Sequence, residues 1–252
     1  DGSDSLATKK TLLKQWFQQL DALFLAQRPA AITDIALVHA IERYHLSIEP
    51  FRDMLKGQQM ALELNRYQTW EDLRLYCYRV GGTVGLVSAS ILGVPTEPAV
   101  CEALVTFGIA MQMTNILQDV GTDARQWKIY LPLEDLKRCS YPVKDIFRAV
   151  VNHKWETLIG YDIQRARFLY AQVESGLEKL PKEVLWPMWA AWLLYQQDLK
   201  AIEENGYHVF GERPVVPLLW KVNAVVFAWW RSQIPSQRKS HTPKTDCKKA
   251  HS

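Results

Sequence analysis

Cysteine, glycine and proline are scarce in this chain of 252 residues, at four, twelve and twelve. Cys77, Cys101, Cys139 and Cys247 have neither CxxC spacing nor a metal-site histidine pattern, which excludes a zinc finger and a disulfide framework and suits a reducing compartment. The longest uncharged run, VGGTVGLVSASILGVPT at 80–96, is shorter than the ~20 residues of a membrane span and is interrupted by Gly, Ser and Pro. No span is expected, and no signal peptide is visible. The first residues, DGSDS, lack a methionine, so the natural start is expected upstream of Asp1. Basic charge is also thin. Six of the thirty Lys and Arg lie in residues 231–252 beside one acid, which leaves the rest of the chain slightly acidic. A nucleic-acid interface would need a dense basic face on a folded element, so that class is excluded. The polar segment QRKSHTPKTDCKKAHS cannot pack, and 231–252 is expected to be a disordered basic tail behind one domain at 1–230.

What is abundant is apolar and aromatic. With 48% apolar residues the chain can bury a sizeable core, and ten Trp and ten Tyr suggest large flat side chains lining it or a pocket within it, as a hydrophobic ligand would require. Nearly every segment has helical period. Leu13, Trp16, Phe17, Leu20 and Leu23/Phe24 form one stripe ending before Pro29. Thr33 is expected to cap the next helix, and Ser47 with Glu49 and Pro50 to start a third. Further helices are predicted from Trp70 to the GVPTEP break, from Pro98 to Asp123, from Val143 toward Leu180, and from Val184 to Asn205. No strand alternation or internal repeat is present, so the class is all-α.

One helix stands out. From Ala103 to Gln118 no residue is charged, which marks an interior helix. Its polar exceptions, Gln112, Asn115, Asp119 and Asp123, follow at spacings of three, four and four and share one face. An unpaired carboxylate in a core costs several kcal/mol, and like charges at i, i+4 repel by a further ~0.2–0.5 kcal/mol. Either this end of the helix reaches solvent or a cation neutralises it, Mg²⁺ and the nearby Arg125 and Lys128 being the candidates. Gln112 lies two turns inside, where solvent at the helix end no longer accounts for it. Gly81, Gly82 and Gly85 are a second anomaly, each costing about 1 kcal/mol in a helix relative to alanine. They clear space for another helix backbone or for a ligand chain. Trp186, Trp189, Trp192 and Tyr195 recur every three residues; the tryptophans suit a core, whereas the Tyr195 hydroxyl needs a partner or a pocket.

The segments PFRDMLKGQQM (50–60), YCYRVGGTVG (76–85), QMTNILQDVGTDARQWKIYLP (112–132), RARFLYAQVESG (165–176) and WPMWAAWLLYQQDLKAIEENGY (186–207) resemble, in order, the squalene/phytoene synthase family. The resemblance implies a single-domain isoprenoid synthase-type helical bundle around a central cavity. It implies a prenyltransferase that condenses two geranylgeranyl diphosphates head-to-head, through a cyclopropyl diphosphate, to phytoene without NADPH. Mg²⁺ (or Mn²⁺) is the implied cofactor. Carried over position by position, Asp1, Asn115, Asp119 and Asp123 look like metal ligands, and Tyr76, Asp119 and Asp123 like the catalytic set. Val80, Gly81 and Gly85 would line the prenyl channel, Gln112 and Asn115 would partner metal-bound diphosphate or water, and Tyr195, Arg213 and Lys221 would hold diphosphate, with Arg125 and Lys128 in a lid-like substrate-binding loop before Tyr130. The implied setting is bacterial cytoplasm or plastid stroma, peripheral to membranes.

The chain also departs from the family pattern. Asp1-Gly2 resembles the last two letters of a first acidic motif, so most of that motif and the helices before it would lie upstream. Gln118 and Gln126 stand where arginine is usual, Thr122 where glutamate is usual, Trp127 where glycine is usual and Ala61 where many relatives carry aspartate. Two alternatives therefore stay open: an impaired paralogue that binds lipid or assists assembly, and a squalene-type synthase.

Overall fold

The computed structural model describes residues 5–94, 97–211, 213 and 217–233. Asp1 and residues 234–252 of the expected tail lie outside the described residues. Those described form helices joined by short turns, with no strand among them and one isolated parallel bridge between Arg66 and Ile129. The helices are α1 (Leu6–Ala26), α2 (Ile32–Tyr44), α3 (Glu49–Glu63), α4 (Trp70–Cys77), α5 (Thr83–Ile91), α6 (Pro98–Arg125), α7 (Leu133–Arg138), α8 (Val143–Phe147), α9 (His153–Leu177), α10 (Lys182–Glu204) and α11 (Leu218–Gln233).

The centre is α6. It is long and apolar enough to cross a bilayer, yet it is the core helix here, packed against α4, α5, α8, α9 and α10. Its buried positions include Leu104, Phe107, Met113, Leu117 and Val120, which meet Ile159, Ile163, Tyr170 and Val173 of α9 in one continuous core. Thr114 Oγ1 sits 3.1 Å from the Tyr170 hydroxyl and donates to Ala110 O at 2.9 Å, so both of these buried hydroxyls are satisfied.

Several boundaries differ from the sequence expectation. The stretch from Trp70 is helical to Ile91, but residues Tyr78–Gly82 form a π-helical turn between α4 and α5. The expected helix from Val143 toward Leu180 divides into α8 and α9. Ala149 takes a left-handed backbone (φ 54°), and the Asn152 side chain accepts the Trp155 N–H at 3.1 Å to start a fresh helix. Thr33 does not cap α2. The Asp34 carboxylate does that work from inside the helix, accepting the N–H groups of Ala30 and Ala31. Finally, α11 runs to Gln233, three residues past the expected domain end, and turns Leu218, Leu219, Val226, Trp229 and Trp230 outward.

Candidate functional site

The polar stripe of α6 follows a strip of that helix left partly uncovered. Gln112, Asn115, Asp119 and Asp123 are all half-buried, whereas Met113, Leu117, Val120 and Ala124 around them are buried. Beside the stripe lies a cleft of about 330 Å³, within the range of ligand pockets. Its walls are the π-turn and α5 (Val80, Gly81, Val84, Gly85), α6 (Leu104 to Asn115) and α10 (Val184, Met188, Ala191, Tyr195). The cleft has an axis. Gln112, Asn115 and Tyr195 mark a polar end, and Leu92, Val94, Leu104 and Val184 an apolar one. From Leu104 to Asn115 along α6 the rise is about 16 Å.

The helix-packing reading of the glycines holds. A Cβ on Gly81 would collide with Gly108 O, and one on Gly85 with Leu104 O, so α5 and α6 touch backbone to backbone. The same close approach leaves bare backbone as a wall of the cleft.

Beyond the polar end, Asp119 receives a bidentate contact from Arg213. Nε donates to Oδ1 at 2.7 Å and Nη2 donates to Oδ2. Gly121 makes this contact possible. Its N–H donates to Val209 O at 3.2 Å, and a Cβ there would lie 2.6 Å from Phe210 Cα, so the turn leading to Arg213 rests directly on α6 between the two carboxylates. Asp123 faces a small cavity with Lys128 and Tyr130. Burial first, and then the Asp119 charge, push its carboxyl up to about 6 against the opposing pull of Lys128 and Arg213. Asp198 belongs to the same neighbourhood. Burial raises its pKa, while the Gln118 side chain, Lys221 and Arg213 favour its charged form. Among the described residues no group of three His, Cys, Asp or Glu side chains comes together as a metal site.

The structure thus brings Val80, Gly81, Gly85, Gln112, Asn115 and Tyr195 to the cleft and sets Asp119, Asp123 and Arg213 past its polar end. Other sequence candidates do not line the cleft, although Lys128 shares the Asp123 cavity and Lys221 is near enough to Asp198 to favour its charge. Arg125 is exposed and donates to Thr122 Oγ1 and Phe210 O, and Lys128 Nζ donates to Ala61 O at 2.8 Å. Lys221 is exposed on the first turn of α11. Tyr76 is buried in a stack with Tyr67 and Tyr130, 5.2 Å from the Tyr130 ring, and does not line the cleft. Burial moves its hydroxyl far above the usual tyrosine range, so it stays protonated and acts as a hydrogen-bonding group rather than as a phenolate base. Trp127, exposed at φ 60°, stacks on Phe147 and gives its carbonyl to Arg66 at 2.6 Å. The loop is also paired with the chain before α4, Ile129 N–H donating to Asn65 O and Leu133 N–H to Tyr67 O.

Sequence reading missed the rest of the cleft wall, Ser88, Ala89, Leu92, Val94, Phe107 and Met111 among it. On α10 a signal was present, because Val184, Met188, Ala191 and Tyr195 keep to one face at steps of four, three and four. Asp198 gave no signal, since only the packing of α10 beside Gln118 shows that it is half-buried.

The squalene/phytoene synthase family model matches residues 1–220. The chain is 42% identical over 245 residues to the 15-cis-phytoene synthase of Synechocystis sp., covering 93% of this chain and 72% of that protein. It is 40% identical to the 15-cis-phytoene synthase of Synechococcus elongatus, covering 93% and 79%. Among solved structures it superposes on a dehydrosqualene synthase in complex with ligand at TM-score 0.80 and 26% identity, over 87% of this chain and 77% of that one. A glycine-packed apolar cleft ending at an acidic stripe, matched along nearly the whole sequence, places this chain in the squalene/phytoene synthase family.

Proposed function

We propose that the protein is a prenyltransferase that joins two geranylgeranyl diphosphates head-to-head, through a cyclopropyl diphosphate, to form phytoene for carotenoid biosynthesis. Overall, two diphosphates and two protons leave, and no reductant is consumed. The observation that carries the reading is the polarity of the cleft, whose α6 wall rises about 16 Å from an apolar end at Leu104 to a polar end at Gln112, Asn115 and Tyr195, with Asp119 and Asp123 beyond. A prenyl diphosphate has the same polarity, a hydrocarbon chain with a polyanionic head.

The acidic stripe suits a hard divalent cation, because Asp119, Asp123 and Asn115 offer only oxygen ligands and leave further positions for phosphate and water. The raised pKa of Asp123 supports this, since burial and then the Asp119 charge one turn away disfavour its charged form and Lys128 and Arg213 offset them only in part. Mg²⁺ or Mn²⁺, when bound, supplies the charge that lets diphosphate depart from the allylic carbon. The residues of the chain do the remainder. Arg213, now on Asp119, carries a planar fork that suits diphosphate oxygens equally well. Gln112, Asn115 and Tyr195 orient the head group, and the apolar walls keep water from the allylic cation. Tyr76 is assigned a supporting role through Tyr130, which lines the Asp123 cavity.

The test is incubation with geranylgeranyl diphosphate and Mg²⁺, with phytoene the expected product and Asp119→Ala the inactive control. A squalene-type product that appears only with NADPH would refute the phytoene assignment. Prenyl diphosphate binding without turnover would favour the impaired-paralogue reading, to which Gln118, drawn to Asp198, lends a specific observation. The reading also includes contact with a bilayer in cytoplasm or stroma, through the outward apolar face of α11 beside Lys221 and Arg231. Flotation with anionic vesicles, weakened in Trp229→Ser/Trp230→Ser, is the expected result.

A further inference from the structure

The apolar end of the cleft is closed by the way α5 stops. Gly93 adopts φ +62° and its N–H donates to Ser90 O at 3.3 Å, while the Val94 N–H reaches back to Ala89 O at 3.0 Å. These two bonds define a Schellman turn, a helix ending that folds the residue after the glycine onto the last helical turn. Here that residue is Val94 and its partner is Ala89, both buried.

These two side chains line the cleft on one side. On the other they line a second pocket, of about 210 Å³, formed with Leu46, Phe51, Leu86, Val87 and Cys101. Among the described residues, no others border both spaces. The body of α5 stands between the two spaces, with Val84, Gly85 and Ser88 on the cleft face and Leu86, Val87 and Ser90 on the other, and at its edge the Ala89 methyl and the Val94 isopropyl group are where the spaces come closest. The pocket behind it is lined mostly by apolar side chains, and its two hydroxyls, Ser47 and Ser90, already hydrogen-bond to nearby backbone at 3.4 Å, so an alkyl chain could enter it at little polar cost.

We propose that the Ala89–Val94 contact is the chain-length stop of the prenyl cleft, and that the pocket behind it is a latent site for the distal isoprene unit of a longer prenyl diphosphate. The inference rests on the prenyl diphosphate reading of the cleft. With the head group held at the acidic end, the position of the partition fixes how many isoprene units fit before the chain meets Val94. Hydrocarbon pockets distinguish ligands by about 10- to 200-fold for each methylene-sized change, so a change of that size at the Ala89–Val94 edge is enough to alter the preference.

The test uses the whole chain with Mg²⁺ and the unreactive thiolodiphosphate analogues of the C15, C20 and C25 prenyl diphosphates, with affinities measured by calorimetry. The wild type should bind the C25 analogue at least about tenfold more weakly than the C20 analogue. Val94→Ala, which keeps the backbone bonds of the turn, should bring the C25 affinity to within about threefold of C20. Ala89→Leu, which pushes the wall into the cleft, should weaken C20 by about tenfold or more and leave C15 unchanged. Adding Cys101→Trp to Val94→Ala refills the second pocket and should reverse the gain. Alkylation of Cys101, followed by mass spectrometry, should slow in Val94→Ala with the C25 analogue and not with C20. If the wild type binds C20 but Val94→Ala leaves the C25:C20 ratio and the Cys101 alkylation unmoved, the partition is not the stop and the prenyl reading stands. If the folded wild type binds none of the three, the prenyl reading falls and the inference falls with it.

Discussion

Replacing Arg165 with methionine would test whether the frame around the site is held by a single buried cation. Arg165 Nη1 donates to Asp135 Oδ2 at 2.8 Å and also to Asp162 Oδ1, and both carboxylates are fully buried. Its guanidinium lies 4.6 Å from the Trp70 ring centre and 4.7 Å from that of Tyr161, so it ties α9 to α7 and to the start of α4. Arg138 reaches Asp135 at 3.2 Å from a more exposed position, and Asp162 Oδ2 has no hydrogen-bond partner. Removing one member of a buried ion pair costs about 3–5 kcal/mol, because the remaining charge is stranded. For a chain of this size that corresponds to a fall in Tm of roughly 6–20 °C. The loss should depend on pH. Burial first, with the Asp135 charge adding to it and Arg165 only partly opposing it, pushes the Asp162 carboxyl up to about 7. A carboxyl whose pKa is higher folded than unfolded holds its proton more tightly in the native state, so its contribution to stability falls as pH rises from about 4 to about 7. Without Arg165 the folded pKa moves higher still, and the decline continues above 7. Thermal melts followed by circular dichroism should therefore show a small deficit near pH 5 and the full deficit near pH 8. A deficit below about 1 kcal/mol, or an equal deficit at both pH values, would refute the reasoning.

Three further outcomes are expected. Asp119→Asn should lower product formation by about two to three orders of magnitude with little change in Tm, since the side chain is partly exposed and its loss removes charge stabilisation at the departing group; rate and melt measured on the same sample would check this. Gly81→Val should destabilise by about 1–3 kcal/mol in denaturant titrations, because its side chain must force α5 off the Gly108 carbonyl. Tyr76→Phe should cost only about 0.5–1.5 kcal/mol in stability, the worth of one buried hydrogen bond. A fall in kcat well beyond that cost would place the hydroxyl in the reaction path.

Helix content was legible because the chain repeats its apolar positions at 3.6-residue intervals and offers few breakers. The acidic stripe was legible for the same reason: four polar residues on one face of an uncharged helix require an explanation from chemistry rather than packing. Boundaries set by one backbone angle were not. Nothing in the residue type Ala149 announces the left-handed turn that separates α8 from α9, and Asp34 was overlooked because it caps α2 from inside the helix rather than from its first position. The same holds for α11, whose apolar residues fall on its outer face and so carry no core signal.

The sequence by itself determined that the protein is all-α, which residues of α6 carry charge and that they share a face, because those properties follow from spacing along one chain. Only the tertiary structure decided that Gly81 meets Gly108, that Arg213 reaches Asp119 across ninety-four positions of sequence, that Tyr76 stands off from the cleft, and that Ala89 and Val94 separate one cavity from another. Volumes and distances between remote segments depend on how helices dock, and no local pattern encodes them.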